Sequence, residues 1–259
     1  MRVTRRLGDS IHAYAVMAAM AAEGAAGDFV AYRPFAPLFA HGPLHVSASD
    51  QGTQWRPDAC PFRGPRHGEH VRDTMAMAAG VRDRGLLKFR LALPSRRPGG
   101  PYVVICPDAG AAYKEWPRER WGAVVEHLLS RRYEVFVCGM PGRDRLPAPE
   151  GAAHLDLGIA DLASLVAAAT ALMGPDSGHL HLADALGVPA VGLYGATSSL
   201  TYGPYRDRTL CVDVHAGQAR TRAYDSARHL PGECMRAISV DRVLETLAGI
   251  KHAGAPYAR

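Results

Sequence analysis

The sequence has no CxxC pair, no GxxxxGK[ST] loop and no GxGxxG turn. It also has no run near the roughly 18 apolar residues that a membrane span needs. Each absence excludes something. Without the first glycine-rich loop there is no Walker-type phosphate cradle, and without GxGxxG a nicotinamide-type fingerprint has no support. The five cysteines, at 60, 106, 138, 211 and 234, are odd in number. Cys106 and Cys138 fall in apolar, strand-like runs, where cysteine acts as a small buried hydrophobe. That usage points to a reducing compartment, and the expected location is the cytoplasm. Cys60, His67 and His70 offer only three ligands at a spacing that matches no standard zinc site, so no metal is expected. A long Lys/Arg block is missing too. The 30 basic and 25 acidic residues leave a net charge of +5. Scattered in this way, the charge suits an anionic ligand such as a nucleotide but does not argue for nucleic acid. Internal repeats and low-complexity tracts are absent.

What is present fits a folded soluble chain of one or two domains. Of 259 residues, 47% are hydrophobic and 21% charged. The opening "MRVTRR" followed by "AYAVMAAMAA" imitates a secretory leader. Its middle is Ala-rich, however, and "LGDSIH" with Asp9 interrupts the basic-to-apolar transition. The clearest linker is "PSRRPGGP" at 94–101, which separates a first unit (1–95) from a second (102–259). The first unit reads irregularly. It predicts an Ala-rich helix over 10–23, a short strand in "DFVAYRPF", mostly loop over 41–68, and a helix over 69–80 stopped by Gly80.

After the linker the pattern becomes regular. Strands are predicted at "YVVICP", "YEVFVCG", "HLDLG", "ALMGPD", "PAVGLYG" and "TLCVDV". Helices are predicted at "WPRERWGAVVEHLLSRR", which has Pro117 near its start, and at "DLASLVAAAT", with Asp161 as cap. Two more follow, after "GPDSG" and at "SVDRVLETLAGI", the latter with Ser239 as cap. Such alternation implies βαβ units and a parallel sheet. Ligands of these sheets bind at the carboxyl ends of the strands. The turns "CPDAGAAYK", "CGMPGRD" and "GPDSGHLH" should therefore share one rim.

Those turns carry chemistry. A helix start presents unpaired N–H groups and partial positive charge, which suits phosphate. At "DSGH", Gly178 permits close approach of an anion, Ser177 adds a hydroxyl, and Asp176 caps the helix or accepts from sugar hydroxyls. His181 lies within the first turn and is expected to face the rim. Plain packing, an Asp cap and a Gly turn with incidental histidines, accounts for the same residues. In "CPDAGAAYKEWP", Lys114 before a helix resembles a loose phosphate cradle, or else is a solvated lysine. Asp144 in "CGMPGRDR" can pair with a ribose diol or simply face solvent beside Arg143 and Arg145. Asp9 after Gly8 is a helix cap or a catalytic carboxylate facing the rim.

Together these stretches resemble glycosyltransferase family 9, the ADP-heptose:lipopolysaccharide heptosyltransferases and their relatives. The resemblance runs from about Tyr102 to Leu247, through "PDAGAAYKEWPRERWGAVVEHLLSRRYEVFVCGMPGRD", "GPDSGHLHLADALGVPAVGLYGATS", "YGPY" and "CMRAISVDRVLETL". "LGDSIH" resembles the family's N-terminal LGD segment. The resemblance implies an α/β, GT-B-like fold of two Rossmann-like domains with parallel sheets, the N-terminal one shortened. It implies an inverting glycosyltransferase without metal or other cofactor, moving a heptose or similar sugar from a nucleotide diphosphate sugar to an acceptor hydroxyl. Asp9 would be the general base, beside Gly8. Lys114 would bind the phosphates or the leaving diphosphate, with Ala109 and Gly110 in its loop. Asp176, Ser177 and Gly178 would hold the sugar and phosphates, with His181 beside them. Asp144 would approach the ribose, and the base would rest near Leu157, Gly158 and Ile159. The alternatives are a non-catalytic nucleotide-sugar-binding or auxiliary protein that retains the donor half, and a nucleotide-sugar epimerase or hydrolase of the same architecture. No nucleic-acid partner or transmembrane segment is expected.

Overall fold

The computed structural model describes residues 2–25, 28–55, 69–91, 93, 100–195, 197–208, 210–214 and 233–250. Ten β-strands are described, in two sheets. The larger sheet is built from β5 (Tyr102–Ile105), β6 (Glu134–Cys138), β7 (Ala152–Leu155), β8 (Ala171–Pro175), β9 (Ala190–Tyr194) and β10 (Cys211–Asp213). Its order is β10-β9-β8-β5-β6-β7, and every pair is parallel. The chain moves outward from β5 to β7, then returns to β8 on the other side of β5. The order reverses between β5 and β8, so their carboxyl ends bound the crevice where ligands of such sheets sit.

Alternation along the strands buries both faces. Val103, Ile105, Val135, Val137, Met173 and Val191 pack under α4 (Arg118–Ser130) and α9 (Val240–Ala248). Tyr102, Val104, Cys106, Cys138 and Leu172 pack under α5 (Ile159–Val166) and α6 (Gly178–Leu186). Strands covered on both faces read as continuous apolar runs, which is why the sequence reveals them. Cys106 and Cys138 are unpaired and buried, and burial holds both thiols protonated, Cys138 with a pKa of about 12. Ser239 caps α9, accepting from Arg242 N–H, as its sequence predicts. Asp161 does not cap α5: Gly158 takes that position, and Asp161 falls in the first turn, where its charge still favours the helix dipole.

The smaller sheet contains β1 (Arg2–Thr4), β2 (Phe29–Tyr32), β3 (Val46–Ser49) and β4 (Thr53–Trp55), in the order β1-β4-β2-β3. Here the expectation of a parallel sheet is not met. Only β2 and β3 run parallel, joined across α2 (Ala36–Phe39), and β4 is antiparallel to both of its neighbours. Residues 50–52 between β3 and β4 are too few for the crossover that a parallel return requires. Most of the linker expected at 94–101 lies outside the described residues, as do Cys60 and His67. The histidine read with them, His70, has both ring nitrogens occupied. Nδ1 accepts from Arg72 N–H, and Nε2 lies 2.9 Å from the Gly203 carbonyl.

Helix α1 (Leu7–Ala22) joins the two sheets. Within its Ala-rich stretch, Ala13, Tyr14, Ala15, Val16 and Ala19 are buried. Tyr14 stacks on Phe39 at 4.6 Å and meets Phe29 edge-on at 5.0 Å, while Leu182 and Ala185 of α6 belong to the same cluster. Helix α3 (Val71–Ala78) stops where predicted, at Gly80, whose φ of +75° favours glycine. It carries the fully buried Arg72 into the junction of α1 and α6. Arg72 Nε donates to His12 Nδ1 at 3.1 Å and Nη1 to the Leu87 carbonyl at 2.9 Å, while Nη2 lies 3.9 Å from Asp184. Among the described residues no helix is long and apolar enough to cross a membrane.

Candidate functional site

The β5 end leads through Pro107 and the buried Asp108 into a single 3-10 turn, Ala112–Lys114. Asp108 fastens the rim. One carboxylate oxygen accepts from Arg118 at 3.2 Å and the other from Met140 N–H at 2.7 Å, which joins the loops after β5 and β6. Arg118 also donates to the Asp144 carbonyl at 2.6 Å. This holds Asp144 on the rim with its side chain exposed. Ala109 N–H donates to Glu115 at 3.3 Å, and Gly110 is exposed beside it. Leu157, Gly158 and Ile159 form the junction between β7 and α5, on the same edge.

Across the switch point, Lys114 Nζ meets Asp176 Oδ2 at 2.6 Å. Asp176 is nearly buried, while Lys114 keeps about a quarter of its side chain exposed (23%). Asp176 is therefore an ion-pair partner and not the cap of α6. The cap position is Ser177, in extended conformation, and its side chain caps nothing; its Oγ lies 3.3 Å from His179 Nδ1. The start of α6 therefore has no side-chain cap, the arrangement in which a helix N-terminus can receive an anion.

Glycine decides what lies against that helix start. A Cβ on Gly178 would meet Leu7 Cβ at 2.8 Å and Gly8 N at 2.9 Å. A Cβ on Gly8 would meet His181 Cδ2 at 2.8 Å. The first turns of α1 and α6 are thus in direct backbone contact, which only paired glycines permit. Asp9 follows Gly8, exposed, and Oδ2 accepts from Thr4 at 3.1 Å. Arg6 holds the cap position of α1, so Asp9 is not its cap. Between the two halves stands Tyr202, the last residue of α7 (Ser199–Tyr202), with Lys114 Nζ 5.9 Å from its ring centroid. Burial chiefly, and then Asp176, Tyr113 and Asp9, raise its phenol pKa. Tyr202 thus lies beside Lys114 and feels the charges of both Asp176 and Asp9.

His181 departs from expectation. It turns inward, with only 6% of its surface exposed and its ring 4.3 Å from that of His12. The cause is α1, whose first turn covers it. Burial, then Arg72 and Lys114, lower its pKa to about 3. Burial also lowers His70 to about 3 and His12 well below its ordinary value, with Arg72 acting in the same direction on both. These rings are neutral in the folded chain, whereas in the unfolded chain they take up protons below about pH 6.5. Their contribution to stability is complete above that value and is lost as pH falls toward 3, by about 1.4 kcal/mol per histidine per pH unit. Urea unfolding at pH 7.5 and pH 5 is expected to show a marked loss at the lower pH. Equal midpoints would mean that the three rings are not buried neutral.

Two participants escape a sequence reading. Tyr202 belongs to the quoted "YGPY", but nothing local gives it a role. Arg72 lies in an amphipathic helix pattern that places arginine on the solvent side by default. Among the described residues no group of three or more His, Cys, Asp or Glu side chains is placed to hold a metal ion.

Comparison with known proteins agrees with this architecture. The sequence pattern of glycosyltransferase family 9 (heptosyltransferase) matches residues 77–230. Lipopolysaccharide heptosyltransferase 1 of Pseudomonas aeruginosa is 33% identical over 132 residues, which cover 48% of this chain and 37% of that protein. The chain spans less than half the length of the first curated relatives it matches. Among solved structures, ADP-heptose lps heptosyltransferase II of Escherichia coli has a TM-score of 0.71 at 17% identity, covering 96% of each chain. The iron-containing dodecameric glycosyltransferase TibC of enterotoxigenic Escherichia coli reaches 0.74 at 20% identity, covering 95% of this chain and 74% of its own. TibC is also solved in complex with ADP-D-beta-D-heptose. These likenesses establish the GT-B-like α/β fold. The family pattern covers more than half of the sequence, so the chain belongs to glycosyltransferase family 9.

Proposed function

We propose that the chain is an inverting, metal-independent glycosyltransferase that moves a heptose or similar sugar from a nucleotide diphosphate sugar to an acceptor hydroxyl, and that it works in the cytoplasm. One observation carries the reading. At the switch point, the start of α6, two residues past Asp176 and its Lys114 partner, packs against the α1 turn that bears Asp9. In this reading residues 1–95 form the acceptor side and 102–259 the donor side.

The chemistry follows from the groups. Asp9 takes the proton of the acceptor hydroxyl as its oxygen forms a bond to the anomeric carbon. The bond from that carbon to the diphosphate breaks, and the electron pair leaves with the phosphate oxygen. Attack from the opposite face inverts the centre. The growing negative charge is met by Lys114, turned from Asp176 onto a phosphate oxygen, and by the N–H groups at Gly178. Asp176 holds the ammonium at the helix mouth and accepts from sugar hydroxyls. Ser177 adds a hydroxyl to the phosphate site, and Ala109 and Gly110 let the backbone approach it. Asp144 reaches the ribose, and the base rests over Leu157, Gly158 and Ile159. His181 lies beside Gly178, beneath the α1 turn at Gly8.

Thermal-shift measurements with ADP-, GDP-, UDP- and dTDP-sugars test the donor half without an acceptor, because a ligand that binds only the folded chain stabilises it by mass action. One of these sugars is expected to raise the melting temperature. Lys114→Met should weaken that donor about 10- to 100-fold, as loss of a charge-assisted hydrogen bond requires. No shift with any nucleotide sugar would refute the reading. A second reading is a nucleotide-sugar-binding or auxiliary protein without turnover. It shares the donor site and differs only in whether Asp9 does chemistry.

A further inference from the structure

Tyr202 is fastened more firmly than a four-residue helix needs. The Tyr194 hydroxyl donates to the Tyr202 carbonyl at 3.2 Å, and the next carbonyl, of Gly203, lies 2.9 Å from His70 Nε2. At the start of the same helix, Asp213 Oδ2 accepts from Ser199 N–H at 2.7 Å and from Ser199 Oγ at 2.9 Å. Ser198 Oγ accepts from Leu200 N–H at 3.2 Å. All these bonds leave the Tyr202 side chain uninvolved. They fix where its ring stands, half-buried and 5.9 Å from the Lys114 ammonium.

We propose that Tyr202 contacts the transferred sugar, its ring packing on the sugar's C–H face between the diphosphate at Lys114 and the carboxylate of Asp9, and so selects a sugar-bearing donor over the bare nucleotide diphosphate. The inference rests on the donor reading above. In that reading the anomeric carbon must lie between the leaving diphosphate and the general base, and Tyr202, beside Lys114 and within reach of the Asp9 charge, borders this interval. A sugar ring offers an apolar C–H face as well as hydroxyls. An aromatic face supplies dispersion and excludes water, while the phenol keeps a polar edge for the hydroxyls. The charges of Asp176 and Asp9 both act on that phenol, in accord with a position between the two halves.

Calorimetric titration of the full chain with ADP-heptose and with ADP separates the two claims. In the unaltered chain ADP-heptose should bind more tightly than ADP. Tyr202→Leu should weaken ADP-heptose about tenfold and leave ADP unchanged, whereas Tyr202→Phe, which keeps the ring, should hold both within about twofold. Equal weakening of both ligands by Tyr202→Leu would make Tyr202 a structural residue and overturn the inference. So would an unaltered preference for ADP-heptose. If the unaltered chain binds neither, the same comparison is made with GDP-, UDP- and dTDP-sugars and their nucleotide diphosphates; binding of none of them refutes the donor reading, and this inference with it.

Discussion

Asp9→Asn is expected to lower glycosyl transfer about 10²–10⁴-fold, the usual contribution of a positioned general base. Donor binding should be untouched. Asn keeps the size of the side chain and can still accept from Thr4 Oγ1, 3.1 Å away, so the first turn of α1 stays in place. What it loses is the ability to take a proton from the acceptor hydroxyl. The loss should fall on kcat and leave the affinity for nucleotide sugar unchanged, because in the proposed arrangement Lys114 and the start of α6 hold the donor from the other side. Steady-state transfer assays paired with donor titration check both halves. Turnover near that of the unaltered chain would remove Asp9 from the chemistry. A chain that binds donor but never turns over, with or without Asp9, would favour the auxiliary reading.

Arg72→Ala should destabilise the chain by about 3–5 kcal/mol, the cost of breaking a buried charged network from one side. That is a large share of the roughly 5–15 kcal/mol by which domains are stable. Arg72 is fully buried and bonds to His12 on α1 and to the Leu87 carbonyl. Its guanidinium also lies over the Tyr205 ring at 4.6 Å. Alanine would leave His12 Nδ1 and a carbonyl without a donor, open a cavity, and leave Asp184 facing it without its cation. Asp184 would keep the two backbone N–H groups of Tyr205 and Arg206, which sets the lower end of the range. Urea unfolding measures the effect. A loss under about 1 kcal/mol would mean that Arg72 is solvated in the native state. Donor affinity measured well below the transition should fall as well, because α1 and α6 are held together at this point.

The six-stranded half of the fold is legible because its strands are covered on both faces. Runs such as Tyr102–Ile105 and Ala190–Tyr194 are continuously apolar, and the turns between them carry glycine and proline. Lys114 and Asp176 can be named in advance because each sits at a strand-to-helix junction, where this topology puts ligands. Strands β3 and β4 are hidden. They are four and three residues long, and "VSAS" and "TQW" lack the apolar alternation that marks a strand. The inward turn of His181 is equally hidden, since it depends on α1 lying across α6 more than 150 positions away in the sequence. Arg72 and His12 are 60 residues apart. No local pattern distinguishes a buried guanidinium–imidazole pair from two solvated side chains. The position of Tyr202 is fixed by Asp213, Tyr194 and His70, three contacts that only the folded chain assembles.

The most direct test is a crystal structure of the chain soaked with ADP. The diphosphate should lie on the first N–H groups of α6, with Lys114 Nζ turned from Asp176 onto a phosphate oxygen and Asp9 facing it across the crevice. A competing site exists at the far end of the sheet, where a cavity lined by Pro189, Ala190, Arg206 and Gly249 has a volume of about 530 Å³. A diphosphate bound there beside Arg206, with Gly178 and Lys114 untouched, would contradict the account.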